Sequence, residues 1–104
     1  MDPTTRELIS RNVKSALDGT ISFGAHVSDL VSRGVESYRV DFRERSSTYF
    51  MPSGEFHTVP LTVPDIEIGT AFDAQGVVAA IRGSQQHFVR YPEFIERAMR
   101  AGCV

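Results

Sequence analysis

The chain has 104 residues, 41% of them hydrophobic and 23% charged, with a formal net charge of -2. This length supports one domain with one core, and the composition excludes general disorder. The slight acidic excess argues against a nucleic-acid partner. The lack of a long apolar run argues against a membrane span, and the single cysteine and missing signal peptide predict a cytoplasmic protein.

Two helices are predicted at the start of the chain. The first spans residues 3–17, because apolar residues recur at helical spacing and Asp2 or Thr4 can cap its first turn. The second spans residues 25–33 and ends at Gly34, since glycine is the usual residue just beyond a helix.

Three strands are predicted next. Tyr38, Val40 and Phe42 alternate with charged residues, as in a half-buried strand. Residues 48–51 and 56–61 are rich in β-forming side chains and follow turn-forming sequences. The segment therefore predicts a small antiparallel meander with its third strand at an edge.

Two further helices are predicted in the last third of the chain. Asp73 can cap a helix over residues 74–86, and the last helix runs from about Pro92 to Ala101 and ends at Gly102. His87, just before the link at residues 88–92 that leads into the last helix, is interpreted as a residue of a helix C-terminus rather than as a general base. The predicted fold class is therefore α+β, with about four helices packed on a small antiparallel β-meander.

The helical parts of the sequence also indicate an internal repeat. A shift of 68 residues aligns Ile9 with Val77, Phe23 with Tyr91 and Gly34 with Gly102, among other apolar pairs. Helical periodicity alone can align apolar positions, but it does not readily align the aromatic residues between the helices and the glycines that end them as well. The second unit reaches Val104 where its first strand is expected, so its meander is missing. We expect a single domain over residues 1–104, either truncated at its C-terminus or built without a second meander.

Several segments resemble a known family. The sequences GVESYRVDF at residues 34–42, STYF at 47–50 and FIERAMRAG at 94–102, with Gly54-Glu55 and His57, resemble the YbcV-like family of uncharacterised bacterial proteins. Its members are often labelled phage envelope proteins. The resemblance implies an α+β fold and no established activity. Members continue past the second Ala-Gly with another strand and hairpin, which this chain lacks.

The polar face of the meander holds the candidate ligand-binding residues. If Phe42 faces Tyr49 across the first hairpin, one face is apolar and includes Phe56, whereas a one-residue slip exchanges the faces of the second strand. The opposite face then brings together Arg39, Asp41, Arg43 and His57. Guanidinium groups bind carboxylates or phosphates, and imidazole exchanges protons near neutral pH. The competing interpretation is an ordinary solvated sheet face with weak cross-strand ion pairs.

Other constellations are less specific. Glu55 and His57 are too few to define a metal site, and Cys103 aligns in the repeat with the apolar Val35. No phosphate loop, nucleophile elbow or Cys-x-x-Cys pair is present in the sequence, so no cofactor, metal or catalytic residue is predicted.

The missing meander motivates the functional prediction, because it leaves apolar helix faces or a strand edge for a partner. We expect a small binding or self-association module, with an unidentified small-molecule ligand left open. The alternatives are a small enzyme or anion-binding protein that uses the four polar residues, and a phage-associated structural protein.

Overall fold

The computed structural model of the protein describes residues 1–63, 65–86 and 89–104, so His87 lies outside the described residues. The described residues form four helices and three strands, which confirms the predicted α+β class. In chain order these elements are α1 (Pro3–Leu17), α2 (Phe23–Ser32), β1 (Ser37–Asp41), β2 (Ser46–Phe50), β3 (Phe56–Pro60), α3 (Ala74–Gln85) and α4 (Tyr91–Arg100).

Three of the four helices begin at a side-chain cap. The Asp2 carboxylate accepts a hydrogen bond of 2.7 Å from the Thr5 amide, and Asp73 accepts one of 3.0 Å from Gly76. The Ser22 hydroxyl accepts one of 3.1 Å from Ala25, so α2 begins two residues earlier than predicted. These bonds satisfy amide groups that a helix leaves free at its N-terminus.

The three strands form an antiparallel sheet in the order β1-β2-β3. Tyr38, and not Phe42, lies opposite Tyr49, so the predicted register of the first hairpin is wrong by four residues. The turn is shorter because the Asp41 carboxylate accepts hydrogen bonds from the amides of Arg43 and Glu44. A shift by an even number keeps each side chain on its predicted face, since side chains alternate with a period of two.

The second hairpin differs from the prediction in a more consequential way. The Met51 amide donates to the Glu55 carbonyl, and Gly54 adopts a φ of 92° in the three-residue loop between them. A loop of this type consists of a turn followed by a residue with positive φ. It places Phe50 opposite Phe56 and Tyr49 opposite His57, which turns β3 over. The predicted positions of Phe56 in the core and of His57 on the polar face are therefore wrong.

The hydrophobic core lies between the inner face of the sheet and the helices. The largest of the almost fully buried side chains are those of Tyr49, Ile9, Ile95, Met99, Val13 and Ser47. They come from β2, α1 and α4, so the core joins both halves of the chain. No helix in the described part of the chain has the length and apolar character needed to cross a membrane.

The second helix of each pair agrees with the predicted repeat in its limits and in its C-terminal hydrogen bond. The limits of α2 and α4 differ by the predicted 68 residues at both ends. Gly34 and Gly102 have φ values of 80° and 91°. The Gly34 amide donates to the Val31 carbonyl and the Gly102 amide to the Met99 carbonyl, with an N–O distance of 3.0 Å in both cases. Both helices therefore end with the same hydrogen bond.

Candidate functional site

The outer face of the sheet carries an exposed aromatic pair. Phe50 and Phe56 lie opposite each other on β2 and β3, with 6.2 Å between their ring centroids. The Phe56 side chain is 60% exposed, although phenylalanine is normally buried. Beside this pair the hydroxyls of Thr48 and Thr58 lie 3.0 Å apart, which closes the middle of the face with a cross-strand hydrogen bond.

Arg39, Asp41 and Arg43 lie at the β1 side of this surface. Arg39 and Asp41 occupy alternate positions of β1 and so share the outer face, opposite Thr48 and Ser46 of β2. The Asp41 carboxylate is already bonded to the turn amides at 3.0 and 2.9 Å, and exposed Arg43 lies within that turn. Asp41 therefore has a structural role in the hairpin, and the arginines add positive charge at its edge.

His57 lies on the inner face, away from the arginines. Its Nε2 atom is 2.9 Å from the Ser10 hydroxyl of α1. Partial burial, together with the nearby charge of Arg6, lowers the pKa of His57 below its ordinary value. The four residues predicted to bind a ligand are thus divided between two faces of the sheet and do not form one site.

A buried cluster of polar aromatic residues lies beneath the inner face. His26 of α2 is 3% exposed, and its ring meets Tyr49 edge to face at 6.1 Å. Tyr49 also stacks on Tyr38 at 5.3 Å. Sequence reasoning overlooked His26, although it precedes the buried Leu30 by four residues and so falls on the core face of the helix.

Burial sets the protonation of this cluster. Desolvation lowers the pKa of His26, and the carboxylate of Asp29 opposes that change in part. Desolvation also raises the pKa values of Tyr38, Tyr49 and Tyr91. At neutral pH the cluster therefore presents a neutral imidazole and protonated phenols. Within the described part of the chain, His26 Nδ1 has no hydrogen-bond partner.

The weaker candidates have ordinary structural surroundings. The Glu55 carboxylate forms an ion pair with the amino group of Met1. Residues 1–63, 65–86 and 89–104 contain no group of three or more histidine, cysteine or acidic side chains placed to hold a metal ion. Half-buried Cys103 donates its amide to the Ala98 carbonyl, as Val35 does to Leu30 in the first repeat unit.

Comparisons with known proteins add no assignment to this geometry. No family model, no curated protein and no solved structure matches the chain. The resemblance to the YbcV-like family therefore stays a prediction.

Proposed function

We propose that this protein is a binding module that associates with a second copy of itself through the outer face of its sheet. The observation that supports the proposal is the exposed pair of Phe50 and Phe56, with Phe56 60% exposed. The two rings adjoin and so form a contiguous apolar patch, which can serve as an association surface because burying it is favourable. The resemblance to the YbcV-like family implies no competing activity.

A twofold arrangement suits the charges of this face. In an isologous dimer the same patch meets itself, so a residue of one copy contacts a different residue of the other. Arg39 and Asp41 carry opposite charges and lie two residues apart on β1. About a twofold axis, Arg39 of one copy is placed to approach Asp41 of the other, and such complementarity fixes the register of an interface.

The magnitude of the apolar contribution predicts a weak dimer. Complete burial of a phenylalanine side chain contributes about 1.5–3 kcal/mol. Phe50 is already half-buried, so Phe56 supplies most of the gain. Two copies of so small an apolar pair cannot by themselves hold a tight dimer, because association costs roughly 4–15 kcal/mol in lost freedom of motion. The polar contacts across the twofold axis must contribute as well, so we expect a weak dimer with a dissociation constant in the micromolar range or above.

Sedimentation velocity across a dilution series, from about 200 µM to about 5 µM, tests the proposal, since affinities of this size are populated there. The wild type is expected to shift from dimer to monomer on dilution. Phe56→Ser should be monomeric throughout. Phe72→Ser is the matched control, because Phe72 is 67% exposed but lies outside the sheet.

Two outcomes contradict the proposal. One is a wild type that stays monomeric at every concentration. The other is a dimer that persists in Phe56→Ser or is lost equally in Phe72→Ser, because either result places the interface elsewhere.

The alternative of an enzyme or anion-binding protein on the polar face receives less support. It required Arg39, Asp41, Arg43 and His57 to converge. His57 instead contacts α1 on the inner face, and Asp41 closes the first hairpin.

A further inference from the structure

Two adjoining cavities lie where the two helix pairs meet, and no described residue that lines them belongs to the sheet. The smaller, of about 270 Å³, is lined by residues 19–22 together with Val89, Arg90 and Tyr91. The larger, of about 400 Å³, is lined by carbon-rich side chains that include Ile81 and Phe94. Phe23 and Ser84 line both, so the two cavities lie side by side. Together they have the size of a small-molecule site.

Aromatic rings form one wall of this double cavity. Phe23 stacks on Tyr91 with 5.8 Å between centroids, and Tyr91 stacks on Phe94 at 6.5 Å. Phe23 and Tyr91 are equivalent positions in the two repeat units, so the wall lies on the boundary between the units. Phe23 is 38% exposed and Ile81 is 42% exposed. The larger cavity therefore offers apolar surface that is accessible to a ligand.

Arg90 supplies the charge of the smaller cavity. It is the sole charged residue among the described residues that line either cavity. Its Nη1 donates to the Gly19 carbonyl over 3.2 Å. Within the described part of the chain, its other guanidinium nitrogens have no hydrogen-bond partner, which leaves donors for a planar anion.

The position of Arg90 is unfavourable for the helix that it precedes. It is the N-cap residue of α4 and makes no side-chain cap bond, whereas Ser22, its equivalent in the repeat, caps α2. A cation at a helix N-terminus also opposes the helix dipole. Local rules are commonly broken where a residue serves a binding role, and Arg90 instead reaches across to the other helix pair.

We propose that the double cavity binds a small amphiphilic carboxylic acid. The carboxylate pairs with the Arg90 guanidinium in the smaller cavity, where charge-assisted and bidentate hydrogen bonds are strong. The aromatic or aliphatic part lies in the larger cavity against Phe23, Ile81 and Phe94. No acidic side chain among the described lining residues repels the anion. The site shares no residue with the sheet surface and stands independently of self-association.

A pair of probes that differ only in charge tests this site. The ¹⁵N-labelled protein is titrated with 4-phenylbutyrate and, separately, with the neutral 4-phenylbutanol. The acid should bind saturably, with amide shifts concentrated at Gly24, Ser84 and Tyr91, and more tightly than the alcohol. Arg90→Gln should lower the affinity for the acid by about tenfold and change the affinity for the alcohol by less than about twofold, because only the acid uses the guanidinium.

Two further variants control for general effects of charge and folding. Arg43→Gln removes an exposed arginine of the first hairpin and should alter neither affinity. Ile81→Glu places a carboxylate in the larger cavity. It should lower the affinity for both probes, and it should lower the affinity for the acid more than that for the alcohol. Ile81 is 42% exposed, so this variant should keep the dispersed amide spectrum of a folded protein.

Several results would overturn the assignment. They are no saturable binding of the acid, equal affinity of the wild type for acid and alcohol, or equal loss in Arg90→Gln and Arg43→Gln. The comparison of the two probes on the wild type decides the question even if Arg90→Gln unfolds.

Discussion

Acidification should destabilise the protein through His26. This histidine is 3% exposed, and burial lowers its pKa below the ordinary value of 6.5 despite the opposing charge of Asp29. The unfolded chain therefore takes up a proton at a higher pH than the folded chain. The contribution of His26 to stability is fully present above pH 6.5 and is lost as the pH falls towards its lowered pKa in the folded state.

The magnitude follows from the linkage of proton binding to unfolding. The effect has an upper limit of about 1.4 kcal/mol at about pH 5.5, which is the free energy by which protonation of this one residue stabilises the unfolded chain when the buried ring takes up no proton. At about pH 7.5 the same contribution is only about 0.1 kcal/mol. His57 adds a smaller effect of the same sign, because its pKa is lowered but its ring is only half-buried.

Urea denaturation followed by circular dichroism at these two pH values measures the effect. The wild type should lose more stability on acidification than the variant His26→Leu does, by at most about 1.4 kcal/mol. His26→Leu should also be as stable as the wild type or more stable at neutral pH. This follows because it removes Nδ1, which has no hydrogen-bond partner in the described part of the chain. Equal acid losses in the two proteins would refute the reasoning.

Three further substitutions have defined expectations in the same denaturation assay. Gly102→Ala should cost clearly more than Gly34→Ala, which itself should cost about 1 kcal/mol for its positive φ. An added Cβ at Gly102 meets the Ala71 carbonyl oxygen at 2.7 Å, whereas at Gly34 its nearest neighbour is 3.8 Å away. Equal losses of stability in the two variants would contradict this expectation. Asp73→Ala should cost about 1 kcal/mol through loss of the α3 cap, while Asp73→Asn should restore most of it. Glu55→Gln should cost under about 1 kcal/mol, because the Glu55 side chain of that ion pair is 55% exposed, and high salt should remove the difference.

Local chemistry along the chain predicts most of the helical structure. Asp73, for example, marks the start of α3 because its carboxylate satisfies a free amide of the first turn, as found. Gly34 and Gly102 mark the ends of two helices because glycine adopts positive φ without steric cost. The offset of 68 residues between the helix pairs is likewise readable from the sequence, since it depends only on the spacing of such residues.

The faces of β3 could not be predicted in the same way. One residue more or less in the loop before β3 inverts every side chain of that strand, and the sequence PSGE is compatible with either length. The three-residue loop closed by Gly54 exposes Phe56 and directs His57 towards Ser10. This single change removed the predicted polar site and created the exposed aromatic pair.

The cavity at Arg90 depends on tertiary structure even more strongly. Gly19 and Arg90 are 71 residues apart, and only the packing of the two helix pairs brings them to 3.2 Å. The sequence by itself determined the elements, their ends and their repetition, because those features depend on neighbouring residues. Tertiary structure decided which side chains share a surface or a cavity, because register and helix packing depend on contacts between distant parts of the chain.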